Sequence, residues 1–432
     1  MKIFLVGGAL RDKFLNIPIK DKDYVVVGST PEEMIKKGFK PIGKDFPVFI
    51  HPDTKYEYAL ARTEKKIGIG YHGFKFYASP KVNLDEDLKR RDLTINAIAQ
   101  DEDGNIYDPY NGQIDIEKRI LRHVSDAFIE DPLRVLRVAR FATLDEKFVI
   151  HKDTLNLLKQ IVLNEELKSL AVERVVVEIK KGLEGKKPSQ MFRCLCECGA
   201  LNQIFPGINP NKKTNSDYVE LGLMIEKDIV NIPPDNKLLL ILLIPFFSKN
   251  FSVVKGNYSS KEEKNLLEHL KLSNAQKKLY ESLKYEKENF DNFFSLQPKE
   301  KLDCLNRLDF FRRPEIIFAI LNMLIILNTI KIKSLNSNLS SNNDIKIREC
   351  FEKYEPDEGV ENINGDGPNE DIDEVFIKNK LKLLKKMTHL LNTIIDLSGK
   401  TKQSFDSTMD GDQIKMKIYN ERLMILEILE GQ

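Results

Sequence analysis

The chain opens with two short apolar runs, Ile3–Val6 and Tyr24–Val27, separated by polar ground. Brief apolar, partly β-branched runs bounded by turn formers predict strands. Between them, Gly7-Gly8 closes the first run, and Ala9–Leu15 takes up a helical period before Pro18. Ser29-Thr30-Pro31-Glu32-Glu33 predicts a helix start, with a capping hydroxyl, a proline in the first turn and acids behind it. Pro47–Ile50 and Glu57–Ala61 predict two more short strands, and Asp85–Ala99 predicts a helix with Leu88, Leu93, Ile95, Ala97 and Ile98 along one stripe.

From Asp126 onward the helical period dominates. Asp131-Pro132 opens one helix, and Asp153–Val162, Val172–Leu183 and Ser189–Cys198 carry the next three, the last stopped by Gly199. Further helices are predicted around Asp235–Phe247, Ser260–Leu270, Asn274–Glu286 and Pro314–Leu327, then at Asp373–Leu397 and Gln413–Leu429. Ser334–Asp371 is crowded with Ser, Asn, Asp, Gly and Glu, and buries too little apolar area to order itself. No solenoid-type repeat is visible. Mixed strands and helices up to about residue 120, then helices alone, predict an α+β chain, and 432 residues leave room for several domains.

Charge and cysteine content narrow the possible functions. Charged residues make up 31% of the chain, yet the net charge is only +1, so contact with nucleic acid must come from local basic patches. Three of the five cysteines are packed as Cys194, Cys196 and Cys198. Residues two apart on a helix diverge, which is poor zinc geometry and suits reduced thiols of a cytoplasmic protein. Met1 leads straight into the first strand with no signal peptide, and the greasiest window, Leu238–Phe247, is interrupted by Pro245 and too short for a bilayer. A soluble cytoplasmic protein without membrane contact is expected.

The chemistry concentrates at Ile3–Val27. Asp21 and Asp23 stand at the mouth of the second strand, and side chains two apart on a strand share a face. Neighbouring carboxylates repel unless a cation lies between them, and hard oxygen ligands suit Mg²⁺ held together with substrate phosphates. Gly7 and Gly8, where strand turns into helix, offer backbone N–H groups to a phosphate, and Arg11 adds a charged donor fork. Each feature alone also reads as an ordinary turn or strand edge; in this order and this close together they predict a metal site beside a triphosphate cradle. Lys65–Gly73, glycine-rich and basic, reads as a loop able to cover a substrate or as a plain hairpin connection. Arg134, Arg137 and Arg140 recur every three residues on one arc of their helix.

Four strings in register, LVGGALRD, KDKDYVVVG, KRRDLTINAIA and EDPLRVLRVARFA, resemble the class II nucleotidyltransferases that add CCA to tRNA 3′ ends, in their short bacterial form. The resemblance runs from Met1 to about Ile208, fades, and returns weakly at Gly411–Arg422. It implies a polymerase-β-like nucleotidyltransferase head with a mixed sheet at residues 1–122 and a helical neck at 123–208. Behind these it implies a helical body at 209–333, a flexible insert at 334–371 and a helical tail at 372–432. It implies that Asp21 and Asp23 are catalytic and hold Mg²⁺, and that Gly8, Arg11 and Arg91 meet the nucleotide, with Asp92 and Asn96 supporting its sugar. Asp131 and Arg134 would read the base of CTP or ATP, Glu130 bracing Arg134, and Arg137 and Arg140 would bind the nucleotide further along. The implied partner is the tRNA acceptor end.

Plainer readings stand beside these. Asp131 also fits a helix N-cap, Arg91 an ion pair with Asp87, and the three arginines a solvated basic face. Glu57 reads as a third metal carboxylate or as an outward-facing strand acid. Poly(A) polymerases and A-adding enzymes share the first three strings and form the alternative. Some relatives carry a phosphohydrolase site built on a His-Asp pair; no such pair occurs in this sequence, so no phosphatase or phosphodiesterase activity is expected.

Overall fold

The computed structural model describes residues 1–42, 48–66, 74–205, 212–226, 237–241, 272–318, 321–322, 325, 372–400 and 410–430. The described residues up to 273 form one compact unit and those from Asn274 onward form another.

In the first unit the two opening apolar runs become β1 (Lys2–Val6) and β2 (Asp23–Val27), joined through helix α1 (Gly8–Phe14). They pair antiparallel with Val6 opposite Asp23, which brings the glycine turn and the acid to the same end of the sheet. Helix α2 (Pro31–Lys36) starts on a complete capping box from Thr30 to Glu33. Strands β3 (Lys40–Ile42), β4 (Val48–Ile50) and β5 (Glu57–Leu60) extend the sheet on one side. On the other side lie β8 (Ala99–Gln100) and β9 (Ile106–Tyr107), giving the order β3-β4-β5-β2-β1-β8-β9. Strands β6 (Arg62–Lys66) and β7 (Phe74–Ala78) form a separate hairpin. Alternation along β2 sends Val25 to a core with Phe4, Val6 and Leu88, and Val26 to a core with Met34, Phe49 and Leu60.

The predicted helix over Asp85–Ala99 does not form as one piece. Helix α3 (Leu84–Lys89) stops at Arg90, a single 3₁₀ turn follows at Thr94–Asn96, and β8 begins at Ala99. Pairing across the chain outweighs the local period: Thr94 N–H donates to the Arg122 carbonyl, and Val124 N–H donates to the Asp92 carbonyl. The stripe residues are buried nonetheless, Leu88 from α3 and Ala97 from beyond the turn meeting in the sheet core.

Helix α4 (Gly112–Lys118) leads to β10 (Ile120–Leu121), which pairs in parallel with β11 (Val149–Ile150). Between them lies α5 (Arg134–Ala142), its apolar face wholly buried against α7 (Val172–Leu183) and α8 (Pro188–Glu197). Helices α6 (Lys152–Leu163), α9 (Leu201–Ile204) and α10 (Lys212–Glu226) complete the described packing, and Gly199, at φ +79°, ends α8's run as expected. At Gly222 of α10 a Cβ would lie 2.4 Å from the Ser189 Cα, so only glycine allows this approach of α10 to α8. Residues 237–241 are helical, with Leu238–Ile241 buried.

The second unit contains α11 (Asn274–Asp291), α12 (Pro298–Arg307), α13 (Ile372–Lys400) and α14 (Gly411–Glu430). Buried Glu286 on α11 pairs with Arg307 on α12, and Tyr419 of α14 donates to Asp303 at 2.7 Å. The predicted helix at Ser260–Leu270, the insert at Ser334–Asp371 and most of the Lys65–Gly73 loop lie outside the described residues. Among the described residues, no helix is long and apolar enough to cross a membrane. Cys194, Cys196, Cys198 and Cys304 carry free thiols.

Candidate active site

A cavity of about 1000 Å³ opens at the end of β1 and β2, and nine of the residues singled out in the sequence line it as expected metal or nucleotide contacts: Gly8, Arg11, Asp21, Asp23, Arg91, Asp131, Arg134, Arg137 and Arg140; Glu130 does not. Asp21, just ahead of β2, and Asp23, its first residue, sense each other. Burial pushes the Asp23 carboxyl above its usual range and the Asp21 charge pushes it further, while Arg91 pulls it down without cancelling the rise. Such an acid pair is suited to a cation bound between its members. Glu57 stands opposite Asp23 in the parallel register of β5, but is exposed and outside the cavity lining.

Gly7 caps α1 at φ +70°, a backbone conformation that favours glycine. A Cβ there would also lie 3.0 Å from the Arg91 Nη1. Arg91 is held at 3.1 Å by Asp87, the partner anticipated from the sequence, and donates to the Asn96 carbonyl at 3.4 Å. Fully buried Asp87 also takes the Arg90 fork at 2.7 and 3.0 Å and the Arg62 backbone N–H at 3.3 Å. Burial alone would raise the Asp87 carboxyl; the Arg90 and Arg91 guanidiniums outweigh it and hold it below the usual range. The ion pair therefore fixes Arg91 at the cavity wall instead of withdrawing it.

Arg11 connects the two sides of the site. Its Nε and Nη2 donate to Asp12 at 2.9 and 2.7 Å, and its Nη1 donates to Asn96 at 2.8 Å. The Asn96 amide donates to Asp92 at 3.0 Å, and Asp92 accepts Nε of Arg137 at 2.7 Å. Beyond Arg137, Glu178 of α7 stands 3.9 Å from it and 2.6 Å from Arg140. A polar chain thus runs Arg11–Asn96–Asp92–Arg137–Glu178–Arg140, from the glycine turn to the arginine helix. Both Asp92 oxygens are engaged within the protein, since Oδ1 also accepts the Leu93 N–H at 2.8 Å. Burial would raise this carboxyl, but Arg137, the Asn96 amide and Arg134 together hold it far below the usual range.

At the start of α5, Asp131 accepts the Leu133 N–H at 3.0 Å on Oδ1 and faces Arg174 at 3.4 Å on Oδ2. It caps the turn that leads into the helix and borders the cavity at once. Arg134 donates to the Ala127 carbonyl at 3.2 Å and the Arg90 carbonyl at 2.6 Å, and lies over the Phe128 ring at 5.5 Å. Two backbone carbonyls thus fix its direction.

Sequence reasoning passed over Asp12, Arg174, Glu178 and the cavity residues Lys181 and Lys186. Glu178 carried a legible signal: it interrupts the buried stripe of Val175, Ile179 and Leu183 on α7, and a charge there requires a partner. Around the whole lining, eleven cationic residues face six acidic ones. The basic patch that the near-neutral chain had to hold locally is this cavity.

Comparison with known proteins follows the same geography. Residues 3–122 match the model of the poly A polymerase head domain, and residues 147–212 match that of the probable RNA and SrmB-binding site of polymerase A. The CCA-adding enzyme of Coxiella burnetii (strain RSA 331 / Henzerling II) is 56% identical over 213 residues, which is 49% of this chain and 57% of that enzyme. The chain therefore spans little more than half the length of that curated relative. Among solved structures, a tRNA-processing enzyme in apo form aligns over 98% of this chain and 93% of its own at 20% identity, with a TM-score of 0.61. A tRNA nucleotidyltransferase complexed with a primer tRNA and an incoming ATP analog aligns over 78% and 97% at 23% identity, with a TM-score of 0.56. At these identities the structures establish the α+β fold with its polymerase-β-like head. The chain is thus similar to the poly A polymerase head domain over residues 3–122 and, over 213 of its residues, to the CCA-adding enzyme of Coxiella burnetii.

Proposed function

We propose that the protein adds C, C and A to the 3′ end of tRNA, using CTP and ATP and releasing pyrophosphate. The observation that carries this reading is that one cavity is lined both by the acid pair and by the arginine-bearing helix. Its acid pair, Gly8, Arg11 and Arg91 lie within residues 3–122, which match the poly A polymerase head domain, and the chain is 56% identical over 213 residues to a CCA-adding enzyme. The complex of a structural neighbour with a primer tRNA and an ATP analog gives the reading further support.

Asp21 and Asp23 would hold divalent ions, Mg²⁺ by the hardness of the ligands, and their mutual repulsion fits that role. Among the described residues no group of three or more His, Cys, Asp or Glu side chains is placed to hold a metal ion, so these two carboxylates are the ligands proposed. When bound, the metal activates the tRNA 3′-hydroxyl and offsets charge on the departing pyrophosphate. This chain supplies the alignment. Gly8 and Arg11 receive the triphosphate beside the acids, Arg91 approaches across Gly7, and Arg137 and Arg140 hold the nucleotide from the opposite wall. Asp131 accepts a hydrogen bond from the exocyclic amine that cytosine and adenine share, and Arg134 supplies donors fixed in direction by two carbonyls. Uracil and guanine carry a carbonyl at the corresponding position, guanine's own amine lying at the other end of its edge.

The organisation that goes with this function is a catalytic head at 1–122, a neck at 123–208 carrying the reading helix, and body and tail helices gripping the tRNA acceptor end, in the cytoplasm. A poly(A) polymerase or A-adding enzyme would use the same head, since the matching head model takes its description from poly A polymerase. CTP use separates the two. The test is Asp21→Ala: incorporation of labelled CMP into tRNA lacking CCA is lost while tRNA retention in a gel-shift assay persists. Incorporation that survives the change overturns the metal assignment.

A further inference from the structure

The cavity arginines are not distributed evenly over their aromatic neighbours. The Phe141 ring on α5, 2% exposed, has three guanidiniums around it: Arg11 at 4.9 Å, Arg137 at 5.5 Å and Arg140 at 4.2 Å. Arg11 arrives from α1, next to the glycine turn, and the other two from α5 itself. Arg134 stands apart, over the fully buried Phe128 at 5.5 Å. Asp12, Asp92 and Glu178 each pair with one of the three, yet around Arg140 burial, and then Arg137 and Arg11, disfavour the charged form against the pull of Glu178. An aromatic face attracts cations through its quadrupole, the more so out of water, and is rigid with only two rotatable bonds. An aliphatic side chain of equal bulk would fill the same space without that attraction.

We infer that Phe141 is a positioning residue that gathers Arg11, Arg137 and Arg140 into one rigid phosphate- and sugar-side group. Phe128 does the same for Arg134 alone, so nucleotide affinity and base selectivity rest on two different buried rings. This rests on the reading of the cavity as a nucleotide site. It makes a prediction that the reading alone does not: weakening the Phe141 quadrupole lowers affinity for CTP and ATP together and leaves discrimination against UTP and GTP intact. Weakening Phe128 lowers the discrimination.

The experiment keeps shape and changes charge distribution. Phe141 is replaced in the full-length protein by mono-, di- and trifluorophenylalanine, and Kd values for CTP and ATP are measured by calorimetry with Mg²⁺ present. The series is repeated at Phe128, with incorporation of UTP and GTP measured alongside. Expected at 141 is a stepwise loss reaching about tenfold for both nucleotides at the trifluoro ring, with an unchanged melting temperature. Expected at 128 is a rise in UTP and GTP use with smaller changes in affinity. Kd values at 141 that ignore fluorine number, even if Phe141→Leu weakens binding, show a packing role only and overturn the inference. A loss confined to one of the two nucleotides overturns it as well. A wild-type protein that binds neither CTP nor ATP refutes the underlying reading instead, so the two failures are told apart.

Discussion

Asp92 joins the two walls of the cavity, and its removal tests the connection. Its Oδ1 takes the Leu93 N–H at 2.8 Å and the Asn96 amide at 3.0 Å, and its Oδ2 takes Arg137 at 2.7 Å. In Asp92→Asn the oxygen keeps the first two partners, while the new amide turns a donor toward Arg137, itself a donor. Arg137 is left with Glu178 at 3.9 Å. Breaking a buried pair by altering one partner costs about 3–5 kcal/mol. The Arg137 side chain is 33% exposed and partly rehydrates, so a cost below that range, about 2–3 kcal/mol, is expected. The pH dependence carries the sign. A carboxyl held below its ordinary value stabilises the fold above the unfolded pKa of about 3.9, and that contribution disappears as pH falls through the lower folded value. The difference between wild type and Asp92→Asn is therefore constant from pH 7 to about 5 and shrinks below about 4. Urea unfolding followed by far-UV circular dichroism reads it, the chain having no tryptophan. Coincident midpoints at pH 7, or a gap that stays the same down to pH 3, would refute the reasoning.

Further predictions follow from the same geometry. Gly7→Ala forces a side chain into a left-handed backbone and to within 3.0 Å of Arg91, so it loses about 1–2 kcal/mol and raises the KM for CTP; thermal melting and CTP titration measure both. Asp131→Ala removes a cap worth about 1 kcal/mol and relaxes the preference for CTP over UTP, measured as the ratio of kcat/KM values. Retention of tRNA falls steeply between about 50 and 200 mM salt, because a lining with eleven cations and six acids meets a polyanion; a flat response would contradict it.

The sequence disclosed the strand–Gly-Gly–helix opening because three signals agreed there: an apolar run, two glycines and a helical period. It likewise disclosed nine of the residues that line the cavity, since each belongs to a short string set by one strand or one helix. It misread Asp85–Ala99, where an apolar stripe of helical period serves a 3₁₀ turn and a strand edge instead. Residues 92–94 bond to partners some thirty positions away, and no local pattern carries that information. Arg174 was missed for the same reason, since its partner Asp131 lies 43 positions away, whereas Glu178 left a trace in the stripe of α7 without saying which arginines it meets. The residues of a site are often local in sequence, and the groups that hold them in place are not.

The most direct test of the account is the product formed on a tRNA that lacks its last three nucleotides. With CTP, ATP and Mg²⁺, the full-length protein is predicted to lengthen it by C, C and A and then stop. CTP alone should give only the cytidine additions, and UTP and GTP none. Long adenosine tails made without CTP, or no extension under any of these conditions, would contradict it.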